Sequence, residues 1–114
     1  MSIRATETGF NPEYSEDAPS FEDVSDQKGI TIIEFGAPWC GHCQAAEPAV
    51  KAVLEAKSFP HTKVYDGKGK PLGRAFKVKL WPTLILLQDG LEIDRIVRPI
   101  HEDEVEDLIA QASN

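Results

Sequence analysis

Cysteine is scarce in this chain, with two among 114 residues, at positions 40 and 43. That excludes a disulfide-stapled secreted scaffold, which needs several bridges to replace a missing core. A bridge between Cys40 and Cys43 closes a very short loop. It gains little of the chain entropy by which disulfides stabilise, so a structural staple is a poor reading of the pair. Positive charge is also scarce: 12 Lys and Arg face 19 Asp and Glu, a formal net charge of -7. Phosphate backbones and anionic membranes are repelled on average, which argues against a nucleic-acid or membrane partner. No apolar run reaches membrane-spanning length, and "MSIRATETGFNPEYSEDAPS" has no apolar segment after its early arginine. The expectation is a cytoplasmic protein. Internal repeats and low-complexity tracts are missing as well.

What is present suits one globular domain that buries its own core, with 41% hydrophobic and 27% charged residues. Residues 1–19 are polar, contain Pro12 and Pro19 and lack periodicity, so they are expected to form an irregular arm before a domain at 20–114. "SFEDVSDQKG" predicts a short helix with Ser20 as N-cap and Gly29 as stop. "ITIIEF" predicts a strand covered on both faces, in which Glu34 is the anomaly, because an unpartnered buried carboxylate is costly. Residues 40–57 have helical apolar spacing at Val50, Val53 and Leu54, with Pro48 inside and expected to kink the helix. "HTKVYD" predicts a strand, "GKGKPLG" a turn, "RAFKV" a helical turn, and Thr83 to Val97 a hairpin about "QDG". The last helix, in "HEDEVEDLIAQA", puts Val105, Leu108, Ile109 and Ala112 on one face. This order implies an α/β fold, a mixed sheet with helices on both faces.

At the start of its helix, Cys40 meets unpaired N–H groups and the positive end of the helix dipole. Such a position typically lowers a thiol pKa into the range of roughly 3.5 to 7.5, which supplies attacking thiolate. Cys43 lies one turn deeper on the same face, placed to displace a partner bound to Cys40. An imidazolium at His42 favours thiolate, so it stabilises the reduced dithiol and makes the pair more oxidising. A zinc site drawing on Cys40, Cys43 and one of His42, His61 or His101 is the competing chemistry. It lacks a second ligand pair at finger spacing. A third reading is a binding module with incidental cysteines.

"EFGAPWCGHC" with Pro48 eight residues after Cys40, "WPTL", and "QDG" in register resemble the thioredoxin superfamily, with the CGHC tetrad of protein disulfide isomerase domains. The resemblance implies a thioredoxin fold over about residues 20 to 112. It also implies a thiol-disulfide oxidoreductase that needs no cofactor or metal. Cys40 would be the nucleophile and Cys43 the resolving thiol. Glu34 would be the buried acid that takes the Cys43 proton, its pKa raised by burial. Lys63 would be the partner of that acid and His42 the tuning residue. Trp39, Gly41, Trp81 and cis Pro82 would face the substrate, with the Trp81 backbone pairing to an extended segment; Arg98, outside the pattern, would join them and add positive charge near the active site. Implied partners are protein disulfide substrates and a reductase or glutathione as electron donor, with the chain a monomer. Departures from the pattern are Gly36 in place of a second tryptophan, Gln44 in place of a basic residue, and Leu80 and Arg98 in place of glycines. The segment from Pro48 to Lys63 is short, and the first strand of the fold is not evident in residues 1–19.

Overall fold

The computed structural model describes residues 6–67 and 71–112. Strand β1 (Thr6–Thr8) is followed by helix α1 (Phe21–Ser25), β2 (Ile30–Gly36), α2 (Gly41–Leu54) and β3 (Pro60–Tyr65). Then come α3 (Pro71–Ala75), β4 (Thr83–Gln88), β5 (Leu91–Val97) and α4 (Glu102–Ala110). The strands form one sheet in the order β1-β3-β2-β4-β5. Strands β2 and β3 run parallel, joined through α2, and every other pairing is antiparallel. This is the mixed sheet that the element order implies.

The apolar run of β2 is continuous because both faces are covered. Ile32 points with Leu84 and Leu86 into a core closed by α2 and α4, through Val50, Val53, Leu54, Val105 and Leu108. Ile33 and Phe35 point the other way, into a core with Val24 of α1, Leu72 of α3 and Phe76. Alternation along a strand divides the two sets between the faces. Local signals set the ends of the elements. Ser20 caps α1 in a reciprocal box with Asp23, an arrangement worth about 1 kcal/mol. Asp89 and Gly90 turn the β4–β5 hairpin with φ of 52° and 81°, the left-handed pair that matches strand twist. Helix α2 runs through Pro48 and ends at Leu54, and α3 starts at Pro71, ahead of the expected "RAFKV". Residues 68–70 of the expected turn lie outside the described residues.

The arm departs from expectation. Within residues 1–19, β1 pairs antiparallel with β3, Thr6 opposite Thr62 and Thr8 opposite Pro60. Ser15 then bridges to Val64, with Ser15 N–H donating to Lys63 O at 3.0 Å and Tyr65 N–H to Ser15 O at 2.8 Å. The physical reason is that these residues join the sheet edge by backbone hydrogen bonds. Such bonds leave no hydrophobic period in the sequence. Residues 1–5 of the arm lie outside the described residues.

Candidate active site

Both cysteines sit where β2 hands over to α2. Cys40 is the N-cap, in extended conformation, and its Sγ accepts the Cys43 backbone N–H at 3.2 Å. The sulfur therefore takes the place a serine or aspartate oxygen usually has at a helix start. Both thiols are free. Cys40 is 8% and Cys43 3% exposed. Gly41 and His42 lie on the exposed side of the first turn, and a β-carbon at Gly41 would meet nothing within 4 Å. Approach to Cys40 is open there.

A rim of aromatic and apolar groups surrounds Cys40. Trp39 is 64% exposed, meets Trp81 edge-on at 5.5 Å between ring centroids, and donates to Tyr65 Oη at 3.3 Å. Trp81 donates its indole N–H to Asp66 Oδ2 at 3.0 Å, and the Trp81–Pro82 peptide is cis. Arg98 is half-buried, and its Nε donates to the Trp81 carbonyl at 2.9 Å. The guanidinium thus rests on the backbone expected to pair with substrate.

Beneath Cys43 the site is buried. Glu34 is 3% exposed, Lys63 2% and His61 0%. Glu34 Oε1 lies 2.9 Å from His61 Nε2, and Oε2 accepts the Tyr14 hydroxyl. His61 Nδ1 accepts the Asn11 backbone N–H at 3.0 Å. A backbone N–H can only donate, so Nδ1 carries no proton and the imidazole is neutral, donating from Nε2. Lys63 pairs opposite Glu34 in the β2–β3 register. Its ammonium, however, goes to Pro12 O at 3.3 Å and over the Tyr14 ring at 4.1 Å from the centroid, with Glu47 at 3.9 Å. Lys63 reaches Glu34 by its field, while the direct bonds come from His61 and Tyr14.

The expectation of a raised Glu34 pKa is corrected. Burial pushes the carboxyl up, but the His61 hydrogen bond, the nearby Lys63 charge and the Tyr14 hydroxyl outweigh it and hold Glu34 below the ordinary carboxylate range. A neutral imidazole contributes to this through its N–H and not through a full charge. Cys43 moves the other way, pushed up to about 12 by burial and by its contact with Cys40, against the opposing influence of the Ala37 backbone and the nearby Tyr14 hydroxyl. Burial and the Glu34 carboxylate push the Tyr14 phenol up as well, so it stays protonated.

Sequence reasoning missed Tyr14 and Asn11, and it placed His61 only among possible metal ligands. No spacing signal marks them, because they meet Glu34 or His61 across 20, 27 and 50 residues. One indirect sign existed at Gly36. A β-carbon there would lie 2.6 Å from Cys43 Sγ and 2.7 Å from the Tyr14 hydroxyl oxygen. Gly36 leaves the room in which those two groups meet.

A dithiol at a helix start, over a buried carboxylate and beside a cis proline, defines a protein that exchanges disulfides. The thioredoxin family model matches residues 13–111. The structure of thioredoxin 2 from Pseudomonas aeruginosa in its reduced form is similar, with TM-score 0.76 and 43% identity, covering 90% of this chain and 99% of that one. A thioredoxin H-type of Fagopyrum esculentum is 35% identical over 80 residues, 68% of this chain and 67% of that protein. A protein disulfide-isomerase of Hordeum vulgare is 35% identical over 80 residues, 64% of this chain but 16% of that longer protein. The chain belongs to the thioredoxin family, and it is a thiol-disulfide oxidoreductase.

Proposed function

We propose that this protein exchanges disulfides with protein substrates through Cys40 and Cys43, at a potential more oxidising than that of ordinary thioredoxin. The observation that carries the reading is the Cys40 sulfur at the N-cap of α2, with Cys43 one turn behind it and Glu34 below. Cys40, at the open edge, attacks the substrate disulfide. Cys43 then attacks the resulting mixed disulfide, and the substrate thiolate leaves. Glu34 accepts the Cys43 proton. Two of the effects that hold the Cys43 proton, the hydrogen bond and the charge interaction with Cys40, end when Cys40 enters the mixed disulfide. The resolving thiol thus becomes easier to deprotonate when it is needed.

Trp39, Gly41, Trp81 and Pro82 form the substrate rim in this reading, and Arg98 guards the Trp81 carbonyl. His42 tunes the potential, because an imidazolium in the first turn favours thiolate. The cytoplasm is the proposed workplace, supported by the sparse cysteines. No helix among the described residues is long and apolar enough to cross a membrane. Protein substrates and a dithiol reductase or glutathione are the proposed partners of a monomer. A metal role finds little support, since no group of three metal-ligating side chains gathers among the described residues and His61 is directed at Glu34.

Two measurements test the proposal. Cys43→Ser should hold client proteins in stable mixed disulfides through Cys40, and a variant that traps nothing refutes the exchange role. Equilibration with glutathione buffers should give a potential between roughly -230 and -180 mV. A value near thioredoxin's, about -270 mV, refutes the tuning by His42.

A further inference from the structure

The Tyr14 hydroxyl stands between the two groups that must exchange a proton. It donates to Glu34 Oε2, and its ring packs with Ala37, Cys40 and Cys43. It meets the Cys43 sulfur over Gly36, where a β-carbon would lie within 2.6 Å of one and 2.7 Å of the other. The phenol and the thiol each bear on the other's hold on its proton. The ring is fixed from above by the Lys63 ammonium, and its backbone neighbour Ser15 is pinned to β3 by two hydrogen bonds. Across the carboxylate, the neutral His61 holds Oε1 and leaves Oε2 to the phenol. Cys43 and Glu34 are each 3% exposed, and the phenol is the polar side chain that touches the carboxylate on the Cys43 side.

We propose that Tyr14 is a catalytic residue of the resolving step, its hydroxyl carrying the proton from Cys43 to Glu34. The inference rests on the exchange role proposed above. As Cys43 Sγ attacks Cys40 Sγ of the mixed disulfide, the thiol proton passes to Tyr14 Oη while the phenol proton passes to Glu34 Oε2. The Cys40–Cys43 bond forms, the bond from Cys40 to the substrate sulfur breaks, and its electron pair leaves with that sulfur as thiolate. The protein dithiol is oxidised and the substrate disulfide reduced. The phenol ends neutral with its O–H turned around, and the proton reaches Glu34, which holds it only in passing because its pKa lies below the ordinary range. Reduction of the protein disulfide runs the relay backward. A phenol fits this duty because it donates and accepts at one atom and is never asked to exist as a free tyrosinate. The N-terminal arm is thereby part of the active site.

Tyr14→Phe keeps the ring and its contacts while deleting the hydroxyl. Reduced protein is mixed with oxidised glutathione, quenched with acid at intervals, and the Cys40–glutathione adduct measured by mass spectrometry. The variant should resolve the adduct about tenfold more slowly at pH 7 and accumulate it. The deficit should shrink as pH rises and hydroxide replaces the relay. The titratable groups facing the phenol and thiol are Glu34 from β2, His61, Lys63 and Tyr65 from β3, and Cys40 at the N-cap of α2, with Glu13 and Glu47 at the mouth of the cleft above them. Attack by Cys40, measured in a Cys43→Ser background, should keep its rate. Resolution at the wild-type rate, or equal slowing of both steps, overturns the proposal. If Tyr14→Phe does not fold, the wild-type protein decides in mixtures of light and heavy water. A curved dependence of the resolving rate on deuterium fraction supports two protons in flight, and a straight line overturns them. Failure of Cys43→Ser to trap any disulfide overturns the exchange role itself, and this inference with it.

Discussion

Two carboxylates flank the cysteine pair, and their pKa values shift in opposite directions, the more deeply buried one downward. Asp66, half-buried at the rim, is raised above its usual range by desolvation, with the Trp81 indole N–H pulling part of the way back. Glu34, sealed under Cys43, suffers more desolvation yet is lowered, because His61 and Tyr14 each give it a proton donor and Lys63 adds charge. Depth sets the cost of a charge, and partners decide whether that cost is met. The rim and the floor of the site are thus built on different terms. The rim is open, aromatic and loosely paired, and the floor is buried and well bonded.

The largest break in this comparison comes from the sulfurs. Cys40→Ser should lower disulfide exchange by about three orders of magnitude or more, since it removes the proposed nucleophile. Cys43→Ser should leave the first attack intact and stop at the mixed disulfide. Equal loss of the first attack in both variants would mean that rim and floor do not divide the two steps.

Next is the floor acid. Glu34→Ala leaves the His61 Nε2–H and the Tyr14 O–H without their shared acceptor, at a cost of roughly 1–3 kcal/mol each. It should also slow resolution by about a hundredfold. Denaturant titration and adduct kinetics read the two effects separately. Because the folded pKa of Glu34 is depressed, its stabilisation is present above the unfolded carboxylate value and is lost as pH falls through the folded one. Glu34→Gln should flatten that acid limb of the stability curve. A carboxyl whose removal stabilises the protein at pH 7 would contradict the bonded floor.

The difference between rim and floor also explains what the sequence disclosed. Trp39, Cys40, Gly41, His42 and Cys43 are contiguous, and Trp81 and Pro82 adjoin, so local motifs announce them. Glu34 stood out because charge is rare in a β-branched run. Its partners Tyr14 and His61, and the Asn11 that orients His61, arrive from an irregular arm and a short strand, through contacts formed only when the sheet closes. The expected direction of the Glu34 shift went wrong for the same reason: burial was readable and the donors were not. The helices and the hairpin were legible from periodicity and turn chemistry, whereas β1 is held by backbone bonds that residue identity does not encode.

On the rim, Arg98 sharpens the comparison at smaller scale. Its Nε occupies the Trp81 carbonyl and its φ is 54°, a conformation that glycine adopts without strain. Arg98→Gly should free the carbonyl and lower KM for extended peptide disulfides by about fivefold, one hydrogen bond's worth, with kcat unchanged. A rise in KM would mean that the guanidinium itself contacts the substrate.

The smallest effect concerns Asp66, and its sign is opposite to that of Glu34. A raised folded pKa means that ionised Asp66 costs the native state something at neutral pH, while below the unfolded carboxylate value both states are protonated and the cost disappears. Gly73 makes this crowding possible, since a β-carbon there would lie 2.1 Å from Asp66 Oδ1. Asn keeps an oxygen for the Trp81 indole and removes the charge. Asp66→Asn should therefore raise Tm by about 2 °C at pH 7, and calorimetry at roughly pH 3, below the usual carboxylate value, should find that gain gone. A gain that persists in acid would locate the benefit in packing. A loss at pH 7 would show that the rim carboxylate is as well partnered as the one beneath Cys43.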